Sequence, residues 1–291
     1  MKPQRTSSDA VGGHVGRRRV PRVLVAACIC VGVAGFAVFI SRDRSEMPRA
    51  GADTCVSFDQ EHTEWSRLLG AYVHDGSVDY AGLARRDLPV LDRYLRSLES
   101  VCSPHYETWT REQKLAFWIN AYNAYTVQLI LNHAPLESIR SIGFLPGAAF
   151  RESFIPLQSL RGEVLSLSDI EHEILRKEFR EPRIHFAIVC ASKSCPALRS
   201  QAYRASMLDS QLSEAARAFV SDSSKNHFDA ASRTLHLSPI FGWFREDFER
   251  APQTLTAFVA RYAEPGTAAA LSSAASVRIE FLDYDWSLNG R

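Results

Sequence analysis

Apolar and polar positions along this chain fall into blocks that predict a mainly helical domain with short strands. Asp59–Tyr72 has helical spacing, with Trp65, Leu68 and Leu69 on one face. Asp75-Gly76 then separates Val73-His74 from Ser77-Val78, a turn between β-formers that predicts a hairpin. Helical spacing resumes over Leu88–Val101 through Leu91, Tyr94, Leu95 and Leu98. Arg111–His133 is the longest predicted helix, apolar on most sides and therefore expected at the centre of the core. Asn120 and Asn123 interrupt it three residues apart, so they share a face and each needs hydrogen-bond partners.

Gly143–Gly162 is punctuated by Gly and Pro and reads as a long loop with strand pieces. Ser168-Asp169-Ile170-Glu171 has the capping-box pattern and opens a helix to about Phe179, with His172 and Arg176 four residues apart. Ile184–Cys190 is a β-type apolar run, expected to be a strand that ends on Cys190. Ala205–Val220 and Leu255–Tyr262 are predicted helices. Phe228 and Thr234–Leu237 read as short strands, Ile240–Phe244 as an aromatic loop, and Val277–Asp285 as a closing strand. The expectation is a single α+β domain over residues 55–291, its central buried helix packed on a mainly antiparallel sheet.

Charge changes the picture at the N-terminus. Residues 1–50 carry nine Lys/Arg against three Asp/Glu, leaving 25 basic and 30 acidic residues for the remainder. That remainder has no basic excess to bind nucleic acid. The N-terminal excess flanks Val23–Ile40, eighteen residues without a charge, long enough for a membrane-spanning helix. Residues 1–22 form a basic tail, expected to stay cytoplasmic; 23–40 form a signal-anchor; 41–54 are a linker to an extracytoplasmic, periplasmic domain. A cleaved signal peptide, with Ala34-Gly35-Phe36-Ala37 as its cleavage region, is the alternative.

Of six cysteines, Cys28 and Cys30 lie in that apolar run and Cys55, Cys102, Cys190 and Cys195 in the exported body. Four thiols in an oxidising compartment allow three pairings. Cys55–Cys102 would tie the start of the domain to its first helical region, a closure that stabilises by roughly 3–4 kcal/mol. Cys190 and Cys195 are then left as a local disulfide or as functional thiols.

Cys190 is the candidate nucleophile, and His172 and His185 are the candidate bases that would generate its thiolate. Glu171 or Asp285 would orient an imidazole. Asn120, Asn123 and Ser194 are candidate hydrogen-bonding residues for a small-thiol or peptide ligand. The matching chemistry is acyl transfer, amide hydrolysis or thiol–disulfide exchange. The alternative is a non-catalytic binding or interaction module, with a structural Cys190–Cys195 disulfide and Phe241–Phe244 as its contact surface. Cys190, Cys195, His172 and His185 lack the short paired spacings of a zinc site, and no metal or other cofactor is expected. There is no phosphate-binding Gly-rich loop, no G-x-S-x-G and no H-E-x-x-H.

Four segments occur in a telling order: Phe117–Ala124, Asp169–His172 with Ile174–Arg176, His185–Cys190 with Ser194–Pro196, and the closing Tyr284–Asn289. Together they resemble the domain of unknown function 547 family, with a likeness running from about residue 60 to the end. The resemblance implies an α+β domain found in exported bacterial proteins and in plant proteins. It brings no established reaction.

Overall fold

The computed structural model describes residues 57–250 and 252–290. Asp59 sets the first helix in register: its carboxylate accepts the backbone N–H groups of Glu61 at 3.0 Å and Thr63 at 2.8 Å. Helix α1 (Thr63–Tyr72) therefore begins four residues later than its apolar spacing predicts, and buries Trp65, Leu68, Leu69 and Tyr72. The predicted hairpin follows as β1 (Val73–His74) and β2 (Ser77–Val78), paired antiparallel. Asp75 and Gly76 both take positive φ, 48° and 77°, as a type I′ turn requires. Helices α2 (Tyr80–Arg86), α3 (Leu88–Glu99) and α4 (Ser103–Glu107) lead to α5 (Arg111–His133).

Helix α5 has the predicted bounds. A capping box fixes its start: Thr110 Oγ1 accepts the Gln113 N–H at 3.2 Å, and Gln113 Oε1 accepts the Thr110 N–H at 2.9 Å. Its residues are buried without a break from Leu115 to Val127. It packs against α2, α3 and the helix Asp169–Phe179.

The segment after α5 holds two one-turn helices, α6 (Ala148–Arg151) and α7 (Gln158–Arg161), and a single antiparallel bridge between Ile155 and Leu165. Helix Asp169–Phe179 has π-type winding, a geometry found often beside functional sites. Its start is not capped by Ser168 as the sequence pattern suggests. Ser166 takes that role: its Oγ accepts the Asp169 N–H at 3.1 Å, and the Asp169 carboxylate accepts the Ser166 N–H at 2.8 Å.

The expected strand ending at Cys190 does not form. Pro182 begins a 3-10 turn, Pro182–Phe186, and Glu181 caps it by accepting the Arg183 N–H at 3.1 Å. The run is apolar at successive positions because two hydrophobic clusters flank it. Ile184 and Ala187 enter a cluster around α5, and Phe186 enters a second one built mainly from later elements. Those elements are α8 (Leu208–Val220), β3 (His227–Asp229), β4 (Thr234–Leu237), α9 (Pro239–Trp243), α10 (Arg245–Phe248), α11 (Leu255–Tyr262), α12 (Pro265–Ser273) and β5 (Arg278–Phe281).

The α+β class holds, with a different arrangement from the expected one. Strand β4 pairs antiparallel with β3 and parallel with β5. With strands of three and four residues and a largely exposed β5, this sheet has no broad face to receive α5. The central helix sits among helices, and the sheet belongs to the second cluster. The aromatic Ile240–Phe244 stretch is mostly helix α9, opened by Ser238 and Pro239. Residues 1–40 and Cys55 lie outside the described residues, and with them the proposed anchor and the Cys55 half of the expected Cys55–Cys102 pair. Among the described residues no helix is long and apolar enough to cross a membrane.

Candidate functional site

The two asparagines of α5 clamp the chain on either side of the cysteines. Asn123 Nδ2 donates to the Ala187 carbonyl and its Oδ1 accepts the Val189 N–H, both at 2.9 Å. Asn120 Nδ2 donates to the Tyr203 carbonyl at 2.7 Å, and its Oδ1 accepts the Tyr203 N–H at 3.0 Å. Both amides are buried and engaged by main chain, and neither lines the cavity that holds the two cysteines. Their role is to fix the Cys190 loop to the central helix.

Between these clamps the chain reverses at Ala191, whose φ of 58° is uncommon for a residue with a Cβ. The reversal brings Cys195 beneath Cys190, and the two form a disulfide with a Cα–Cα separation of 6.2 Å. The sulfurs are unequal. Cys195 is buried, and its Sγ accepts the Cys190 N–H at 2.9 Å. Cys190 is half-buried, with its Sγ 3.1 Å from Ser192 Oγ and 3.2 Å from Tyr284 Oη. Ser192 Oγ donates to Tyr284 Oη at 3.0 Å.

Tyr284 arrives on a C-terminal strap. Lys193 N–H donates to the Ser287 carbonyl at 2.9 Å, and Asn289 N–H to the Ala191 carbonyl at 3.1 Å. Ser194 and Asp285 are part of this fastening: Ser194 N–H donates to the Asp285 carbonyl at 3.2 Å, and Asp285 N–H to Ser194 Oγ at 2.8 Å. The Asp285 carboxylate is spent on Ser287, so it orients no imidazole.

That task falls to Asp247, on α10. Its Oδ2 accepts from His185 Nε2 at 2.8 Å and from Arg176 Nε at 2.6 Å, and Arg250 lies 3.5 Å from Oδ1. Burial opposes ionisation of Asp247, but the hydrogen bonds from His185 and Arg176 outweigh it and hold the carboxyl far below its ordinary range. The carboxylate fixes the proton of a neutral His185 on Nε2 and leaves the Nδ1 lone pair facing Glu171 Oε1, 4.0 Å away. Burial lowers the pKa of His185 despite the Asp247 hydrogen bond, so the neutral form dominates near neutrality. The Phe244 ring lies against this imidazole, with centroids 4.0 Å apart at an interplanar angle of 18°.

His172 is held differently. Its Nδ1 lies 3.0 Å from Arg176 Nη1, which can only donate, so His172 accepts there and is neutral. Half-burial and then the Arg176 charge lower its pKa. Glu171 moves the opposite way: burial raises its carboxyl to about 7 against the Arg176 charge. Tyr122 Oη donates to Glu171 Oε2 across a long 3.5 Å. Burial likewise raises Tyr284 to about 12, so it stays a hydroxyl donor at neutral pH.

These groups meet in one cavity of about 250 Å³. Cys190, His172, His185 and Glu171 line it together, with Tyr284, Tyr122 and Cys195. The rest of the wall brings four more aromatic side chains, Phe150, Trp243, Phe244 and Trp286, together with Ile188, Ile240 and Arg151. The cavity lies where the two hydrophobic clusters meet, reached by the Asp169–Phe179 helix from one and α9 from the other. It therefore holds a sulfur, a neutral imidazole with an aspartate behind it, and a carboxyl that titrates near neutrality. Such a set suits proton transfer to or from a thiol.

Sequence reading finds Cys190, His172, His185 and Glu171 but not Asp247, Ser192 or Tyr284. Asp247 sits beside Glu246 in an exposed-looking Arg-Glu-Asp run, 62 positions from His185. Tyr284 carries a weak signal, as part of the closing Tyr-Asp-Trp-Ser segment. Among the described residues no three His, Cys, Asp or Glu side chains converge on a metal position.

No curated protein and no solved structure shows a match to this chain. Residues 106–220, which carry α5, the Asn120 and Asn123 clamps, His172, His185 and both cavity cysteines, match the model of the family described as Protein of unknown function, DUF547.

Proposed function

We propose that this protein is a thiol–disulfide exchange enzyme whose Cys190–Cys195 pair reacts with a small thiol in the His185 cavity. The observation that carries this reading is the inequality of the sulfurs. Both cysteines line the cavity, but Cys190 is half-buried with two hydroxyls beside its sulfur, and Cys195 is buried with a backbone N–H on its sulfur. An exchange site needs one sulfur to be attacked and a second to leave as a stabilised thiolate.

In the forward step an incoming thiol gives its proton to His185 Nδ1, and the imidazolium that forms is held by Asp247. The thiolate bonds to Cys190 Sγ, the Cys190–Cys195 bond breaks, and its electron pair stays on Cys195. A second thiol gives its proton to the Cys195 thiolate and attacks the bound thiol's sulfur. That releases a small disulfide and leaves Cys190 as a thiolate that accepts the Tyr284 hydroxyl, which in turn accepts from Ser192. Two thiols are oxidised and one protein disulfide is reduced. Glu171, neutral below about pH 7, can return a proton to a departing sulfur.

We place the domain outside the cytoplasm, anchored through residues 23–40. The charge distribution of residues 1–49 supports this, and the paired cysteines are consistent with an oxidising compartment. The test is to reduce the Cys190–Cys195 bond fully in the folded chain, remove the thiol, add iodoacetamide and map the cysteine labelled first. Exchange predicts that Cys190 is labelled first, under native conditions. Labelling of Cys190 only after denaturation identifies a structural disulfide in a non-catalytic module and ends the exchange reading.

A further inference from the structure

We propose that the thiol taken by this cavity carries a negative charge, as a carboxylate on a small molecule, and that Arg151 at the rim selects it, aided by Arg140 on the Trp286 ring. The proposal rests on the exchange reading above and adds its substrate class. Size comes first: about 250 Å³ is below the usual range of drug-sized ligand pockets and suits a low-molecular-weight thiol.

Charge comes second. Arg151 lines the cavity and is held across Gly147, its Nη2 donating to the Pro146 carbonyl at 2.6 Å. Arg140 lies over the Trp286 ring, 5.2 Å from its centroid, and Trp286 is a wall of the same cavity. Among the described residues neither guanidinium has a carboxylate within ion-pair distance. Gly147 is at φ 72°, and a Cβ there would lie 3.0 Å from Arg151 Nη1, so the bare backbone leaves room for the guanidinium.

The negative groups nearby do not cancel this field. Asp247 is matched by Arg176 and Arg250. Glu171 is the carboxyl in the wall itself, and burial raises it to about 7, so it is mainly neutral only below that pH. A ligand that puts its sulfur on Cys190 in this cavity meets aromatic side chains and a lining cation, Arg151, with Arg140 adding positive charge from the Trp286 ring. A bidentate guanidinium–carboxylate contact is the natural match.

The experiment uses the full chain and three thiols of similar size: 3-mercaptopropionate, 2-mercaptoethanol and cysteamine. The rate of Cys190–Cys195 reduction is followed for each and expressed per thiolate. Mercaptopropionate should react about fivefold faster than mercaptoethanol, the scale of one partly screened ion pair, and cysteamine should react slowest. The spread should narrow in high salt. It should also narrow in Arg151→Gln and Arg140→Gln, and persist in part in Arg151→Lys, with far-UV circular dichroism confirming that each variant is folded. Equal rates for the three thiols, or a spread unchanged in both Gln variants, overturn the charge selection and leave exchange standing. Absence of reaction with all three in the folded protein overturns both.

Discussion

Replacing Glu171 with glutamine should stabilise this protein at neutral and alkaline pH and leave it nearly unchanged in acid. Burial raises the Glu171 carboxyl from 4.5 to about 7. Below 4.5 the group is protonated in both folded and unfolded chains and contributes no pH dependence. Between those values the unfolded chain has lost the proton while the folded one still holds it, so stability falls as pH rises. Above about 7 both forms are ionised, and the folded protein carries the full cost of a buried carboxylate. Moving the carboxyl from 4.5 to about 7 corresponds to about 3 kcal/mol.

Glutamine keeps the shape and the acceptor for Tyr122 without that cost. Urea denaturation of wild type and Glu171→Gln, followed by tryptophan fluorescence at several pH values, measures the difference directly. Taking the difference between two proteins removes the contribution of His185, whose lowered pKa acts over an overlapping range with the opposite sign. The variant's advantage should grow from near zero in acid to about 3 kcal/mol at about pH 8. A difference that is flat with pH would refute the buried, neutral carboxyl and with it the proton-donor role.

Three further outcomes follow from the same geometry. Asp247→Asn removes the charge that holds His185 and Arg176, and should cost about 3 kcal/mol at pH 7, by chemical denaturation. Because Asp247 has a depressed pKa, the loss should shrink as pH falls below the ordinary aspartate range. Asn123→Ala leaves the Ala187 carbonyl and Val189 N–H without their partner, and should cost about 3 kcal/mol by thermal or urea melts. Tyr284→Phe removes one hydroxyl from Cys190 Sγ; it should slow thiol exchange about fivefold to tenfold while leaving the far-UV spectrum intact.

The parts of the fold legible in the sequence are those where one local cause decides. Helix α5 is apolar on most sides and opens on Thr110-Arg111-Glu112-Gln113, so period and cap agree. The β1–β2 hairpin is set by Asp75-Gly76, and α11 by its apolar spacing. Ile184–Cys190 was not legible because burial between two clusters makes every face apolar, which erases the difference between strand and 3-10 turn. The site divides in the same way. Cys190, His172, His185 and Glu171 stand out as chemically unusual residues in apolar or capped settings. Asp247 and Tyr284 reach the cavity through tertiary packing; nothing near Asp247 in sequence separates it from ordinary surface residues, and Tyr284 is marked only by the closing Tyr-Asp-Trp-Ser segment.

The central claim is that Cys190 is the exchanging sulfur and Cys195 its buried partner. The most direct test is to reduce the Cys195→Ser chain, expose it under native conditions to the disulfide of 3-mercaptopropionate, and map the product by mass spectrometry. The account predicts one thiol joined to Cys190, and no adduct at Cys195 when the same treatment is given to Cys190→Ser. Failure of Cys190 to form the mixed disulfide until the protein is unfolded would contradict it.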